Sequence, residues 1–359
     1  MRSAIAQQDE LCEQAVQSFR QVWRILGAEN TPLRIVRFWG GQPNPEQSDD
    51  NVPTVVVATI QTLSARMDNA RLDWLAKPGL VIVDECHHAI TKTYTGLLSL
   101  LNAEAPKPGS IPKDEPPLIG LSATPFRGTQ DEESKRLARR FDQNLLPRDQ
   151  EALHEKLTER GILARAHYEE LNIPIEKQLS DDLPSFFEFD DLDGIAAQNA
   201  ATKINEYLAP DETQNEALVE FIKDNKELKS ILVFARTVGH ADEIAARLNT
   251  NGITAAAVNG ETPSSARRHF LKKFKAGEIR VLCNWGVLTT GFDAPKVDMV
   301  LIPRVVFSPV SYMQMVGRGL RGTKNDGTES CRIVTVLVNL RQYDDKQAYH
   351  FCKKYFASR

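Results

Sequence analysis

Short β-branched runs alternate with amphipathic stretches along most of this chain. That alternation confines it to α/β architectures built on parallel sheets. LRIVRFW from Leu33, TVVVAT from Thr54, LVIVD from Leu80 and PLIGLSA from Pro117 predict strands in the first half. TYTGLLSLLNA, DEESKRLARRF and RDQEALHEKLTERG carry helical periodicity, the last closed by Gly161. A second series starts near Asp211, with strands expected at SILVFA from Ser230, ITAAAV from Ile253, IRVLCN from Ile279, VDMVLI from Val297 and CRIVTVL from Cys331. Between them, VGHADEIAARLN and PSSARRHFLKKFKAG are amphipathic. In the latter, Ala266, Phe270, Leu271 and Phe274 make the apolar stripe; Arg267, Arg268, Lys272, Lys273 and Lys275 make a basic face, read as solvated. Separating the two series, residues 178–202 hold no Lys or Arg, and SDDLPSFFEFDDLDG gathers six carboxylates. We read this as a linker followed by a docking helix. A length of 359 residues suits two domains. The expected division is a first unit over 1–165, a linker over 166–210 and a second unit over 211–359.

The net charge of −4 excludes a basic exterior, so any nucleic-acid contact has to come from a local cleft. The five cysteines are scattered without a C-x-x-C pair, which argues for a reducing compartment and against a disulfide framework or zinc site. Cys86, His87 and His88 are consecutive and have difficulty converging on one ion. No run reaches membrane-span length and the start MRSAIAQQDE lacks a signal-peptide core, so the expected location is cytoplasmic.

Ligands of open parallel sheets collect at the carboxyl ends of strands. GLVIVDECHHA stops there on two adjacent acids, Asp84 and Glu85. A buried strand reaching the sheet edge would look the same. Placed in a nucleotide site, one carboxylate could face a hydrated magnesium while the other orients an attacking water. LIGLSATPFRG likewise ends on Ser122 and Thr124, which could sense the magnesium site or cap a turn. In SYMQMVGRGLRG, a helix would put Gln314, Gly317, Arg318 and Arg321 on one face, and two guanidinium forks suit a triphosphate. NWGVLTTGFDAP follows a strand with Thr289, Thr290 and Gly291, a turn able to hold a phosphate of nucleotide or backbone.

In order, these segments resemble motifs II to VI of superfamily 2 helicases. DECH resembles the DExH box, SAT motif III, ILVFARTV motif IV, TTGFDAP motif V and QMVGRGLR motif VI. The nearest forms are the helicase subunits of type I and type III restriction enzymes and the DEAD/DEAH-box proteins. Upstream, ATIQTL resembles the T-x-Q-[ST]-L element, and AQQDELCEQ resembles motif Ia with Gln7, Gln8 and Asp9 replacing the usual Pro, Thr and Arg. The resemblance implies two RecA-like parallel-sheet lobes, the first incomplete, binding ATP, magnesium and nucleic acid, with DNA the expected substrate. It further implies that Asp84 holds magnesium through water, Glu85 is the general base, and His87 links the nucleotide site to the other lobe. Ser122 and Thr124 would couple hydrolysis to movement. Thr59, Gln61, Thr289 and Thr290 would meet nucleic acid, and Gly291 and Asp293 the nucleotide side. Gln314 and Arg318 would complete the catalytic set, with Arg321 as arginine finger.

The family also uses a P-loop, a Gly-rich turn ending in Gly-Lys-[Ser/Thr]. No Gly-Lys dipeptide occurs in this sequence. AQQDELCEQ already lies at residues 6–14, so the sequence reads as lacking the first βα unit. In that reading PLIGLSA becomes an unpaired apolar edge, nucleotide binding is weak or absent, and a separate chain supplies the P-loop unit. Three readings stay open: a fragmentary or split helicase or translocase, silent alone; a nucleic-acid-binding module without hydrolysis; and an inert gene remnant.

Overall fold

A computed structural model describes residues 2–6, 9–27, 31–47, 52–67, 69–101, 103, 115–122, 131–146, 149–173, 195–287, 296–337 and 347–350. The chain divides into two compact units, Met1–Leu145 and Leu146–Arg359.

In the first unit, β1 (Arg2–Ala6) leads into α1 (Asp9–Leu26), then β2 (Arg34–Phe38), β3 (Thr54–Thr59) and α2 (Ile60–Arg66). They are followed by β4 (Val81–Asp84), α3 (Lys92–Leu100), β5 (Leu118–Leu121) and α4 (Asp131–Arg140). The strands form one parallel sheet in the order β2-β3-β1-β4-β5. Strand β1 was not among those expected. RSAIA offers a single β-branched residue, yet it runs through the middle of the sheet, pairing Ser3 with Val56 on one side and Val81 on the other. Alternate residues feed two cores. Ala4, Val55 and Val57 pack with Cys12 and Val16 of α1, while Ile5, Val56, Val81 and Val83 pack with Leu63, Leu97 and Leu98. Burial on both faces explains why TVVVAT reads as a continuous apolar run. Arg37 locks α1 to β2 through a forked pair with Glu13, at 3.0 and 2.9 Å. Among the described residues β5 is an edge strand, and it exposes Ile119 and Leu121.

The second unit contains α5 (Gln150–Glu159), β6 (Arg165–Asn172), α6 (Ile195–Leu208), α7 (Glu212–Asp224) and β7 (Ile231–Phe234). It continues with α8 (Val238–Thr250), β8 (Ala255–Val258), α9 (Ser264–Lys275), β9 (Val281–Asn284), β10 (Met299–Ile302), α10 (Pro309–Gly317) and β11 (Ser330–Leu337). Its parallel sheet runs β6-β11-β10-β7-β9-β8. Alternation again makes two cores. Ile231, Val233, Met299 and Leu301 face Leu218, Ile244 and Leu248; Leu232, Phe234, Val300 and Ile302 face Phe274, Tyr312 and Met315.

The division therefore falls earlier than the expected boundary at 165. Arg165–Asn172, which spans the expected start of the linker at 166, is an eight-residue strand in full parallel register with β11. RAHYEELN is polar because β6 is an edge strand that anchors itself by charge. Glu169 receives Arg332 at 2.6 Å, and Glu170 accepts from the Tyr349 hydroxyl at 2.8 Å. Helix α6, the expected docking helix, is held by Asn205, whose amide exchanges two hydrogen bonds with the Val305 backbone, at 2.9 and 2.8 Å. One basic residue of α9 also differs from expectation. Arg267 folds back to donate to the carbonyls of Asn259, Gly260 and Thr262, and so clamps the preceding loop.

Candidate active-site elements

In the first unit the acidic pair sits at the carboxyl end of β4. Asp84 is the last strand residue, and its carboxylate accepts the Glu85 backbone N–H at 3.0 Å. Burial raises the Asp84 pKa above the ordinary carboxylate range, and the Glu85 N–H opposes that shift. A half-buried carboxylate whose charge is disfavoured gains most from a nearby cation, so Asp84 fits the role of holding magnesium through water. Glu85 adopts a left-handed backbone, φ 49° and ψ 51°. For a residue with a Cβ this costs on the order of 1 kcal/mol or more, a strain that tends to persist where function needs the geometry. The turn reverses the chain into a short 3-10 segment, Cys86–His88. It brings His87 under Glu85, with Nδ1 3.4 Å from Glu85 Oε2 and 3.4 Å from the hydroxyl of Ser122 at the end of β5. His87 is buried, 3% exposed, while Glu85 and Ser122 are each partly exposed. Burial, with Glu85 and Asp84 adding repulsion, pushes the Cys86 thiol up to about 11, which makes it a packing residue and not a nucleophile.

Thr59 has a local task in the structure. It is buried and caps α2, its hydroxyl accepting the Thr62 N–H at 3.4 Å and donating to the Thr62 hydroxyl at 2.9 Å. Gln61, on the first turn of α2, is exposed.

In the second unit, α10 carries Gln314 and ends at Gly317, with Arg318 as its C-cap. Gln314 and Arg318 stay one turn apart, as expected. Arg321 does not continue that helical face. After Arg318 the chain tightens into a turn, Gly319 N–H to Val316 and Leu320 N–H to Gly317, and residue 321 forms an isolated antiparallel bridge with Leu163. Gly319 makes the tight turn possible: a Cβ there would lie 2.4 Å from Cys331 Sγ and 2.9 Å from Val300 Cγ2. A Cβ at Gly317 would meet nothing within 4 Å, so packing does not demand that glycine. Arg236, within the ILVFARTV segment, is buried and donates to the carbonyls of Pro303 and Leu208 and to Gln214 Oε1. It braces the unit from inside. Thr124, Thr289, Thr290, Gly291 and Asp293 lie outside the described residues. Sequence reasoning missed Arg304, which follows the carboxyl end of β10 in the second unit; a lone arginine after a strand carries no motif signal.

The parallel order of both sheets, an acidic pair closing β4 and arginines following α10 define a protein of two RecA-like α/β lobes. Residues 4–127 match the family model described as Type III restriction enzyme, res subunit, and residues 213–323 match Helicase conserved C-terminal domain. IRC3 of Saccharomyces cerevisiae, assigned as an ATP-dependent helicase, is 29% identical over 79% of this chain; the chain spans 37% of IRC3. Among solved structures, a Vibrio vulnificus fragment assigned as the HsdR subunit of a type I restriction enzyme aligns with TM-score 0.58 and 21% identity, covering 96% of this chain and 61% of that one. Dbp5 of S. cerevisiae, bound to RNA and ADP BeF3, aligns with TM-score 0.53 and 15% identity, covering 99% of this chain and 75% of that one. Over residues 4–127 and 213–323 the chain is similar to superfamily 2 helicases, restriction-enzyme subunits among them.

Proposed function

We propose that this chain supplies the magnesium-binding, base, coupling and arginine-finger residues of an ATP-dependent DNA translocase or helicase, and that its 359 residues alone do not turn over ATP. The contact of His87 with both Glu85 and Ser122, 3.4 Å each, is the observation that carries this reading. It ties the acidic strand end to the neighbouring strand end, the coupling that a hydrolysis-driven motor requires. Asp84 holds the hydrated cation, and Glu85 orients the attacking water. Gln314, Arg318 and Arg321 are the phosphate-directed groups of the second unit, the last with the leverage of an arginine finger, about 10³–10⁵ in turnover. Thr124 shares the coupling role with Ser122. Thr289, Thr290 and Gln61 meet the nucleic acid, and Gly291 and Asp293 face the nucleotide; Thr59 serves by setting the first turn of α2.

Silence follows from the absent Gly-Lys-[Ser/Thr] turn. That cradle gives several charge-assisted hydrogen bonds to the β- and γ-phosphates, each worth about 1.5–3 kcal/mol. Losing three or four weakens nucleotide binding by roughly three orders of magnitude or more. The exposed apolar edge at β5 is where a P-loop strand would add. The experiment measures ATP hydrolysis by the 359-residue chain with single-stranded DNA or RNA, then repeats it with a polypeptide carrying a strand, a G-x-G-K-T turn and a helix. The expected result is no turnover alone and DNA-stimulated turnover on addition, lost again in Glu85→Gln. Robust turnover by the chain alone overturns the proposed silence, and stimulation by RNA only overturns the DNA assignment. The same absent turn favours a second reading, a nucleic-acid-binding module. Affinity for DNA that is unchanged by ATP, with no rescue by the added unit, selects it.

A further inference from the structure

Two arginines near the carboxyl end of β10 make an informative contrast. Arg236 donates to two carbonyls and to Gln214. Arg304, one residue beyond the Pro303 that Arg236 grips, has a buried Nε with no hydrogen-bond partner. Burial alone lowers its pKa to about 10, with no carboxylate among the described residues acting to raise it. A guanidinium in that position needs a counter-charge.

Arg304 opens into a cleft of about 250 Å³ that lies wholly within the second unit, between α6 and the start of α10. Among the described residues the cleft lining holds no Asp or Glu, and its polar groups beside Arg304 are Gln198 and Thr202 from α6 with Ser308, Ser311 and Gln314 from α10 and its cap. Ser308 caps α10, accepting the Ser311 N–H at 3.0 Å, so the positive end of that helix dipole adds to the arginine charge. The walls are fixed by the two hydrogen bonds between Asn205 and Val305. Such a site is preorganised for an anion and hostile to a cation.

We infer that the Arg304 cleft binds a phosphate group, with the Arg304 guanidinium as its anchor and the Ser311 hydroxyl and Gln314 amide as further donors. The fork of an arginine suits phosphate oxygens, and a serine hydroxyl completes the donor set without adding charge. The site needs no P-loop, so it stands whether or not the chain hydrolyses ATP. The phosphate has two sources, a nucleotide or the backbone of a nucleic-acid strand.

The test uses the full 359-residue chain. Phosphorus NMR line broadening and the thermal midpoint are recorded with inorganic phosphate against chloride at matched ionic strength. Broadening and a raised midpoint are expected in the wild type, with affinity at least tenfold weaker in Arg304→Met. The methionine variant without phosphate should be as stable as the wild type or more so, because an uncompensated charge has gone. Ser311→Ala, a milder change, should weaken phosphate severalfold and keeps the test decisive should the methionine variant misfold. Competition then separates the sources: ATP displacing phosphate more effectively than an abasic deoxyribose-phosphate oligomer marks a nucleotide site, and the reverse marks a strand site. No response to phosphate beyond that to chloride, or equal responses in wild type and both variants, overturns the inference.

Discussion

His240 shows how one residue of this fold sets a pH limit. It is buried between Asn215, 3.0 Å from Nε2, and the Arg236 backbone N–H, which donates to Nδ1 at 3.1 Å. An imidazole that accepts at Nδ1 is neutral with its proton on Nε2. Burial first, then Arg236 and Arg247, lower its pKa to about 3. The unfolded chain takes up the proton near its usual 6.5, while the folded chain resists until about 3. The stabilisation is complete above pH 6.5 and is lost as pH falls toward 3, at about 1.4 kcal/mol per pH unit from this site. Asp84, with its raised pKa, works in the opposite sense, so the comparison that isolates the histidine is wild type against His240→Gln. Urea unfolding between pH 4 and 7.5 should give a visibly shallower pH dependence for the variant. The glycines of the arginine segment divide just as sharply. Gly319→Ala should cost about 1–3 kcal/mol by overpacking against Cys331 and Val300. Gly317→Ala, at a helix end with open space, should be neutral or stabilising by up to about 1 kcal/mol. Denaturation midpoints of the two variants check this directly.

Edge strands explain both what the sequence disclosed and what it concealed. The strands with long β-branched runs, such as TVVVAT and SILVFA, were legible because burial on both faces leaves its mark in composition. β1 was not, since RSAIA earns its central place through neighbours on either side and through no property of its own. β6 was missed for the opposite reason: an edge strand held by Arg332 and Tyr349 to Glu169 and Glu170 carries a polar pattern that reads as linker. The acidic pair was legible by position, but the left-handed turn at Glu85 that brings His87 beneath it was not, because that geometry is imposed by the sheet end. Arg321 was placed on a helix that stops four residues earlier; the stop is set by long-range packing of Gly319 against β10 and β11. β5 yields a prediction at this scale. Ile119 and Leu121 are 44% and 51% exposed on an edge left open among the described residues, a template for pairing with another chain. Replacing both with Lys should leave stability within about 0.5 kcal/mol per site and reduce self-association measured by light scattering. If the P-loop unit adds at this edge, the same change should abolish its rescue of ATP turnover.

At the scale of the molecule, the boundary between units is a physical claim about which residues complete the second sheet. Three ties hold the stretch before Asp211 to the body that follows. β6 pairs with β11 over its full length, Asn205 of α6 brackets Val305, and the Leu208 carbonyl receives the buried Arg236. A fragment beginning at Leu146 retains all three. A fragment beginning at Asp211, where the sequence alone places the start of the lobe, removes a strand and leaves β11 as a raw edge with Ile333, Val334 and Val336 losing cover. It also strips a carbonyl from Arg236, whose guanidinium is already drawn down to about 10 by burial. Depriving a buried charge of one partner costs on the order of 1–3 kcal/mol before the lost strand is counted. The 146–359 fragment should therefore unfold in one cooperative transition on heating, followed by circular dichroism, while the 211–359 fragment should show no cooperative transition or precipitate. Equal midpoints for the two would mean that β6 and α6 are accessories to the lobe, and would return the boundary to Asp211.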